Sequence, residues 1–186
     1  MSDFIRGLPR ITTDYLRQHP RFAALALGLL AATGFQPLGL WPLALVAMGG
    51  FIALVADAPD ARRAALLGWL FGLAHFTLGN NWIAVAFTYQ ANMPAVLGWG
   101  AVPLLAVYLA AYPALAAFGA RALAGPSRIV GQPGLPLVLG FAGCWIISEI
   151  MRATVFTGYA WNPFAMALLG PFDRPGLAAL APFTGT

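Results

Sequence analysis

Apolar residues run along this chain in five long blocks: Phe22 to Phe35, Leu40 to Ala56, Ala64 to Phe87, Pro94 to Leu123 and Leu135 to Met151. Polar residues gather between the blocks. A helix rising about 1.5 Å per residue needs about 20 mostly apolar residues to cross a hydrocarbon layer of about 30 Å. The blocks therefore predict about five transmembrane helices. The first holds only 14 residues, so it must recruit His19 to Arg21, Gln36 and Leu38 or thin the bilayer around it. Behind Met151 come two lesser runs, Phe164 to Phe172 and Gly176 to Phe183, divided by Asp173-Arg174-Pro175. Neither is long enough to cross alone. The predicted fold is an all-α integral membrane protein with three parts: a tail over 1–21, a helical bundle over 22–151 and an interfacial segment over 152–186.

Composition supports this fold, for the chain is 60% hydrophobic and only 9% charged, and its mean hydropathy is +0.77. Such values exceed what a soluble surface tolerates. All ten basic residues are arginine. Arg6, Arg10, Arg17 and Arg21 precede the first block, Arg62 and Arg63 lie between the second and third, and Arg121 and Arg128 lie between the fourth and fifth. By the positive-inside rule these two loops and the N-terminal segment are cytoplasmic. Residues 36–39, the stretch from Tyr89 to Met93, and everything after Arg152 then face outward. The net charge of +4 reports topology, and no nucleic-acid partner is expected, because no water-exposed basic face interleaved with aromatics exists. The first block is read as a retained anchor. A cleaved leader ending at "AATG" is the competing reading.

Breakers divide the loops but not the fold. "DAPDARR", residues 57–63, is a tight turn, and "AGPSRIVGQPG", residues 124–134, is a Gly/Pro-rich linker; neither looks like a domain boundary. Pro103 and Pro113 predict kinks in the fourth block. Gly68 and Gly72, four apart, allow close helix approach, most simply within one chain.

The candidate chemistry is sparse. Cys144 is the sole cysteine, which excludes an intrachain disulfide and a cysteine metal cluster, and an apolar helix leaves its thiol inert. No metal, cofactor or catalytic residue is assigned. His75, Asn80 and Asn81 put polar groups on the outer half of the third block, read as interhelical hydrogen bonding. Glu149 is the only glutamate, with Arg152 one helical turn on. A carboxylate near the end of a span reads either as half of a structural ion pair or as part of a site. After it, "ATVFTGYAWNPF" predicts a helix stop, a glycine turn and an aromatic segment at the interface.

Four stretches carry a family resemblance: "GFQPLGLWPLALVA", "RRAALLGWLFGLAHFTLGNNWIAV", "SEIMRATVFTGYAWNPFA" and "LAALAPFTGT". In order and spacing they resemble the membrane half of apolipoprotein N-acyltransferase, over about residues 22–186. The E-x-x-R-x-x-x-F-T-G-[FY]-x-W-N core is the most specific part. Asn81, and the Tyr159-Ala160 pair, depart from the family's common residues. The resemblance implies a bacterial inner-membrane enzyme. Its acyl donor is a phospholipid and its acceptor the amine of a diacylglyceryl-cysteine lipoprotein, with a thioester between them. It also implies that a Glu-Lys-Cys triad resides in a separate periplasmic domain, so the 186 residues alone are expected to be inactive. Substrate contacts are expected at Trp161, with Tyr159, Asn162, Glu149 and Arg152 around it. A non-enzymatic scaffold or a small transporter is the alternative.

Overall fold

The computed structural model describes residues 18–89, 94, 96–125, 132–155, 158–170, 175–180 and 183, and among these no strand forms. The expectations for Arg6, Arg10, Arg17, Arg128, Arg174, Thr157 and the stretch 90–93 lie outside the described residues. Among the described residues seven α-helices follow one another: α1 Pro20–Ala32, α2 Trp41–Asp57, α3 Ala61–Gly79, α4 Trp82–Ala86, α5 Val96–Leu109, α6 Ala111–Ala124 and α7 Leu135–Thr154. Short 3-10 turns occupy Phe87–Tyr89, Phe164–Leu168 and Leu177–Leu180.

The first, second and fifth apolar blocks map directly onto α1, α2 and α7. The third differs at both ends. It begins earlier, at Ala61, because Asp60 is a good N-cap whose side chain accepts the Arg63 amide at 2.8 Å. It stops at Gly79, and the two asparagines separate it from α4. The fourth block breaks at Ala110 into α5 and α6. Pro113 has no amide proton for the Leu109 carbonyl four residues back, and its ring crowds that turn, so the break falls there. Pro103, by contrast, lies within α5.

Helix α3 is the hub, packing against α6, α1 and α5. Its glycines permit this. A methyl group on Gly68 would sit 2.9 Å from the Ala114 Cα, and one on Gly72 would sit 2.9 Å from the Ala110 Cα. The four-residue glycine spacing thus forms an intramolecular seam with α6. Below the seam, Phe51 of α2 stacks on Phe71 of α3 at 4.2 Å between centroids, with Phe141 of α7 edge-on to Phe51 at 5.7 Å.

The reversals at 33–40 and 57–60 bring the start of α1, the end of α2 and the start of α3 to one end of the bundle. Arg121, near the end of α6, joins them by donating to the Ala58 and Pro59 carbonyls. The opposite end gathers residues 33–40, the end of α3 and the segment after α7. Among the described residues two continuous apolar helical stretches are long enough to cross a membrane: Val96–Ala124, 29 residues through α5 and α6, and Leu135–Thr154, 20 residues. Outward-facing Val46, Leu104, Leu115, Leu139 and Ile147 are all exposed. An apolar exterior of this kind fits a membrane protein.

The glycine seam yields a paired test. Gly68→Ala should lower the unfolding free energy in detergent by about 1 to 3 kcal/mol, as overpacking does. Gly49→Ala, with nothing within 4 Å of the added methyl, should be neutral or stabilising by up to about 1 kcal/mol. Equal effects in thermal unfolding would refute the seam.

Candidate functional site

The segment after α7 folds back over the end of the bundle through bonds that begin on α7 itself. Glu149 and Arg152 are one turn apart, so their side chains meet: an Arg152 Nη2 donates to the Glu149 Oε1 at 3.2 Å. Each also holds loop backbone. The Arg152 Nε donates to the Ala160 carbonyl at 3.0 Å, and the Phe164 amide donates to Glu149 Oε1 at 2.8 Å. The guanidinium, 2% exposed, lies 5.2 Å from the centre of the Phe76 ring, an aromatic face that favours a desolvated cation. The pair is therefore more than an ion pair at a helix end. It fixes residues 160 and 164 on the bundle.

Between those two anchors the backbone takes an unfavourable form. Trp161 has φ 46° and Asn162 φ 54°, consecutive left-handed residues without glycine. Each costs of order 1–2 kcal/mol for an L-residue, less for asparagine, whose short polar side chain bonds locally. Asn162 Nδ2 donates to the Gly79 carbonyl at 3.2 Å, with a longer contact to Asn80 Oδ1 at 3.4 Å. Gly79 is the last residue of α3, where backbone carbonyls lack partners within the helix. Asn162 thus caps α3 from 83 residues away.

Held this way, Trp161 packs half-buried against the cluster of Phe76, Ala106, Leu109 and Tyr112. Tyr159 is exposed and meets the Trp161 ring edge-on at 4.8 Å. Phe164 reaches the Trp145 ring at 6.1 Å, and Trp145 stacks on Phe141 at 5.5 Å, so the loop joins the aromatic core.

All five residues expected at the site thus come together at one end of the bundle, in two roles. Glu149, Arg152 and Asn162 bind backbone. Trp161 and Tyr159 present aromatic surface. His75 is buried, stacks on Phe71 at 5.9 Å and lies against the Gly28 backbone of α1. Its Nδ1 and the Asn80 Nδ2 are buried without a hydrogen-bond partner. The interhelical bonding expected of Asn80 is replaced by the contact with the loop asparagine. Cys144 lies on α7 facing Gly119 of α6, where an added methyl would come within 2.7 Å of its sulfur. Sequence reasoning missed Phe76 and the Tyr108–Tyr112 hydroxyl pair, 2.7 Å apart; the four-residue tyrosine spacing was the available signal.

Comparison with known proteins gives a consistent result. Residues 27–186 match the family described as "Apolipoprotein N-acyltransferase N-terminal domain". An apolipoprotein N-acyltransferase of Ralstonia nicotianae is 36% identical over 168 residues, covering 89% of this chain and 31% of that protein. Those of Vibrio cholerae and Geobacter metallireducens are 32% and 33% identical, over 88% and 87% of this chain and 30% and 28% of theirs. The chain therefore spans about three-tenths of the length of these relatives.

The double anchoring predicts the exchange behaviour of one amide. Glu149→Ala should speed hydrogen exchange at Phe164 by about 10- to 100-fold, the loss of a charge-assisted bond of about 1.5–3 kcal/mol. Glu149→Gln, which keeps an acceptor oxygen, should retain most of the protection. Exchange at Phe164 unmoved by Glu149→Ala would rule out this anchor.

Proposed function

Because this chain belongs to the apolipoprotein N-acyltransferase family, through that family's N-terminal domain, we propose that it is the membrane part of an enzyme of lipoprotein maturation. In this reading a phospholipid donates the acyl chain and the N-terminal amine of a diacylglyceryl-cysteine lipoprotein accepts it. The observation that carries the reading is the anchored segment 158–164. It sets an amphipathic aromatic pair at one end of an apolar bundle, where acyl chains and a wet interface meet.

The reaction divides into two transfers. A thiolate attacks the donor's ester carbonyl, forming a thioester and releasing a lysophospholipid, and the acceptor amine then attacks the thioester, forming an amide and regenerating the thiol. These 186 residues contain no lysine and one cysteine, and that cysteine packs in α7 against Gly119, so in this reading the Glu-Lys-Cys triad that the family resemblance implies lies outside them. The contribution proposed for this domain is orientation. Holding a lipid ester at a fixed depth beside a nucleophile converts a search in two dimensions into a local encounter. Trp161 and Tyr159 would contact lipid, and Glu149, Arg152 and Asn162 would hold them in place.

The proposed topology has five spans: α1, α2, α3, α5 with α6, and α7. Arg21, Arg62, Arg63 and Arg121 share one end of the bundle, which the positive-inside rule assigns to the cytoplasm. The anchored segment then faces the periplasm of a bacterial inner membrane.

Two measurements test this reading. In a Cys144→Ala background, single cysteines at Asp60 and at Tyr159 should label from opposite faces with an impermeant reagent; labelling of both from outside would refute the orientation. In a complete family polypeptide carrying this domain, Trp161→Ala should lower lipoprotein N-acylation about 10- to 100-fold per folded molecule, assayed well below its lowered melting temperature, with Trp161→Phe partly restoring it. Wild-type turnover by Trp161→Ala would sink the proposed lipid contact.

A further inference from the structure

The end of the bundle opposite Trp161 carries a second feature, a cavity of about 300 Å³ between α1, α2 and α3. Its walls are of two kinds. Leu54, Leu66 and Leu67 make an apolar side, while Arg21, Arg63 and Asp57 bring charge to it. Arg21 and Arg63 belong to the first turns of α1 and α3 and Asp57 ends α2, whereas Leu54 lies about one turn before that end and Leu66 and Leu67 about one turn beyond Arg63, so the cavity runs from a charged mouth into apolar lining one turn deeper. Both arginines are exposed, whereas Leu54 and Leu67 are buried.

The mouth is rigidly built. Its rim includes Ala58 and Pro59, and their carbonyls accept bonds from the Arg121 guanidinium at 2.8 and 3.1 Å. Arg121 is itself buried. Asp57 is already engaged within the protein. Two guanidiniums against one carboxylate leave the mouth with a single positive charge. Arginine suits a phosphate there, because its planar fork matches two phosphate oxygens.

We propose that this cavity binds the headgroup of an anionic glycerophospholipid from the leaflet at the arginine-rich end. The phosphodiester sits between Arg21 and Arg63, a hydroxylated headgroup faces Asp57, and the first part of an acyl chain lies on Leu54, Leu66 and Leu67. The volume is at the low end of ligand sites, enough for a headgroup and too small for two chains, which would run along the apolar exterior. Basic pockets between helices at the cytoplasmic side of membrane proteins have this lipid-binding character. A free phosphate would use the arginines but not the leucine wall. The site is distinct from the proposed acyl-transfer surface and rests only on the bundle's lying in a bilayer.

The test uses the 186-residue chain in phosphatidylcholine nanodiscs and in detergent, with native mass spectrometry of retained lipid. Given dioleoyl phosphatidylglycerol and dioleoyl phosphatidylcholine in equal amounts, the chain should keep the glycerol lipid in preference. Arg21→Gln and Arg63→Gln should each cut that preference about fivefold. Arg62→Gln, of equal charge change but not on the cavity lining, should leave it within twofold. Leu66→Trp, which fills the cavity and preserves every charge, should abolish it, and this variant decides the matter if the arginine variants unfold. Equal retention of the two lipids, an Arg62→Gln effect as large as that of Arg63→Gln, or wild-type preference in Leu66→Trp would overturn the site. Chain that fails to enter nanodiscs at all would overturn the membrane reading along with it.

Discussion

A guanidinium held inside an apolar bundle has to be both neutralised and hydrogen-bonded, since an unpaired charge there costs several kcal/mol. At Arg152 that requirement organises one whole end of the molecule. Glu149 supplies the counter-charge, the Phe76 ring covers a face, and the Nε–H goes to the Ala160 carbonyl. The carboxylate in turn takes the Phe164 amide. Satisfying one buried cation therefore pins the backbone on both sides of Trp161, and two left-handed residues become tolerable because their neighbours are fixed.

The same device recurs at the other end. Arg121, also buried, gives its donors to the carbonyls of Ala58 and Pro59, more than 60 residues earlier in the chain. In both places a planar fork of donors bonds the carbonyls of an irregular segment whose backbone has no helix to satisfy it. Where water is scarce such carbonyls need protein partners, and arginine reaches them while keeping its stem among apolar neighbours. Asn162 does the smaller equivalent for the Gly79 carbonyl at the end of α3. Between these fastened ends lies a bundle whose central contact depends on glycines. Helix α3 meets α6 so closely at Gly68 and Gly72 that backbone touches backbone, and the aromatic column of Phe51, Phe71, Phe141 and Trp145 fills the rest.

This arrangement gives a frame with two chemically different ends, which suits the lipid-positioning role proposed for it. The end proposed to face outward is aromatic and presents Trp161 and Tyr159. The end proposed to face the cytoplasm is basic. Family membership agrees with such a division, since this domain accounts for about three-tenths of the relatives' length. The residues that bind backbone and those that offer surface are close together, so loss of activity on mutation must be separated from loss of anchoring before any residue is called a substrate contact.

Much of the architecture was written in one dimension. Apolar blocks and charged turns are read from local composition, and they located α1, α2 and α7, the glycine seam residues and the proline near which the fourth block breaks, because helix formation and breaking depend on residues within one or two turns. The motif around Glu149 was likewise visible as a pair one turn apart with an aromatic turn behind it. What that pair holds was not visible. That Arg152 spends a bond on Ala160, that Glu149 receives Phe164, and that Asn162 caps a helix ending 83 residues before it depend on where the chain returns after α7. Periodicity does not encode that return. The cavity between α1, α2 and α3 is a tertiary fact for the same reason: Arg21 and Arg63 are separated by a full hairpin, and only packing makes them neighbours.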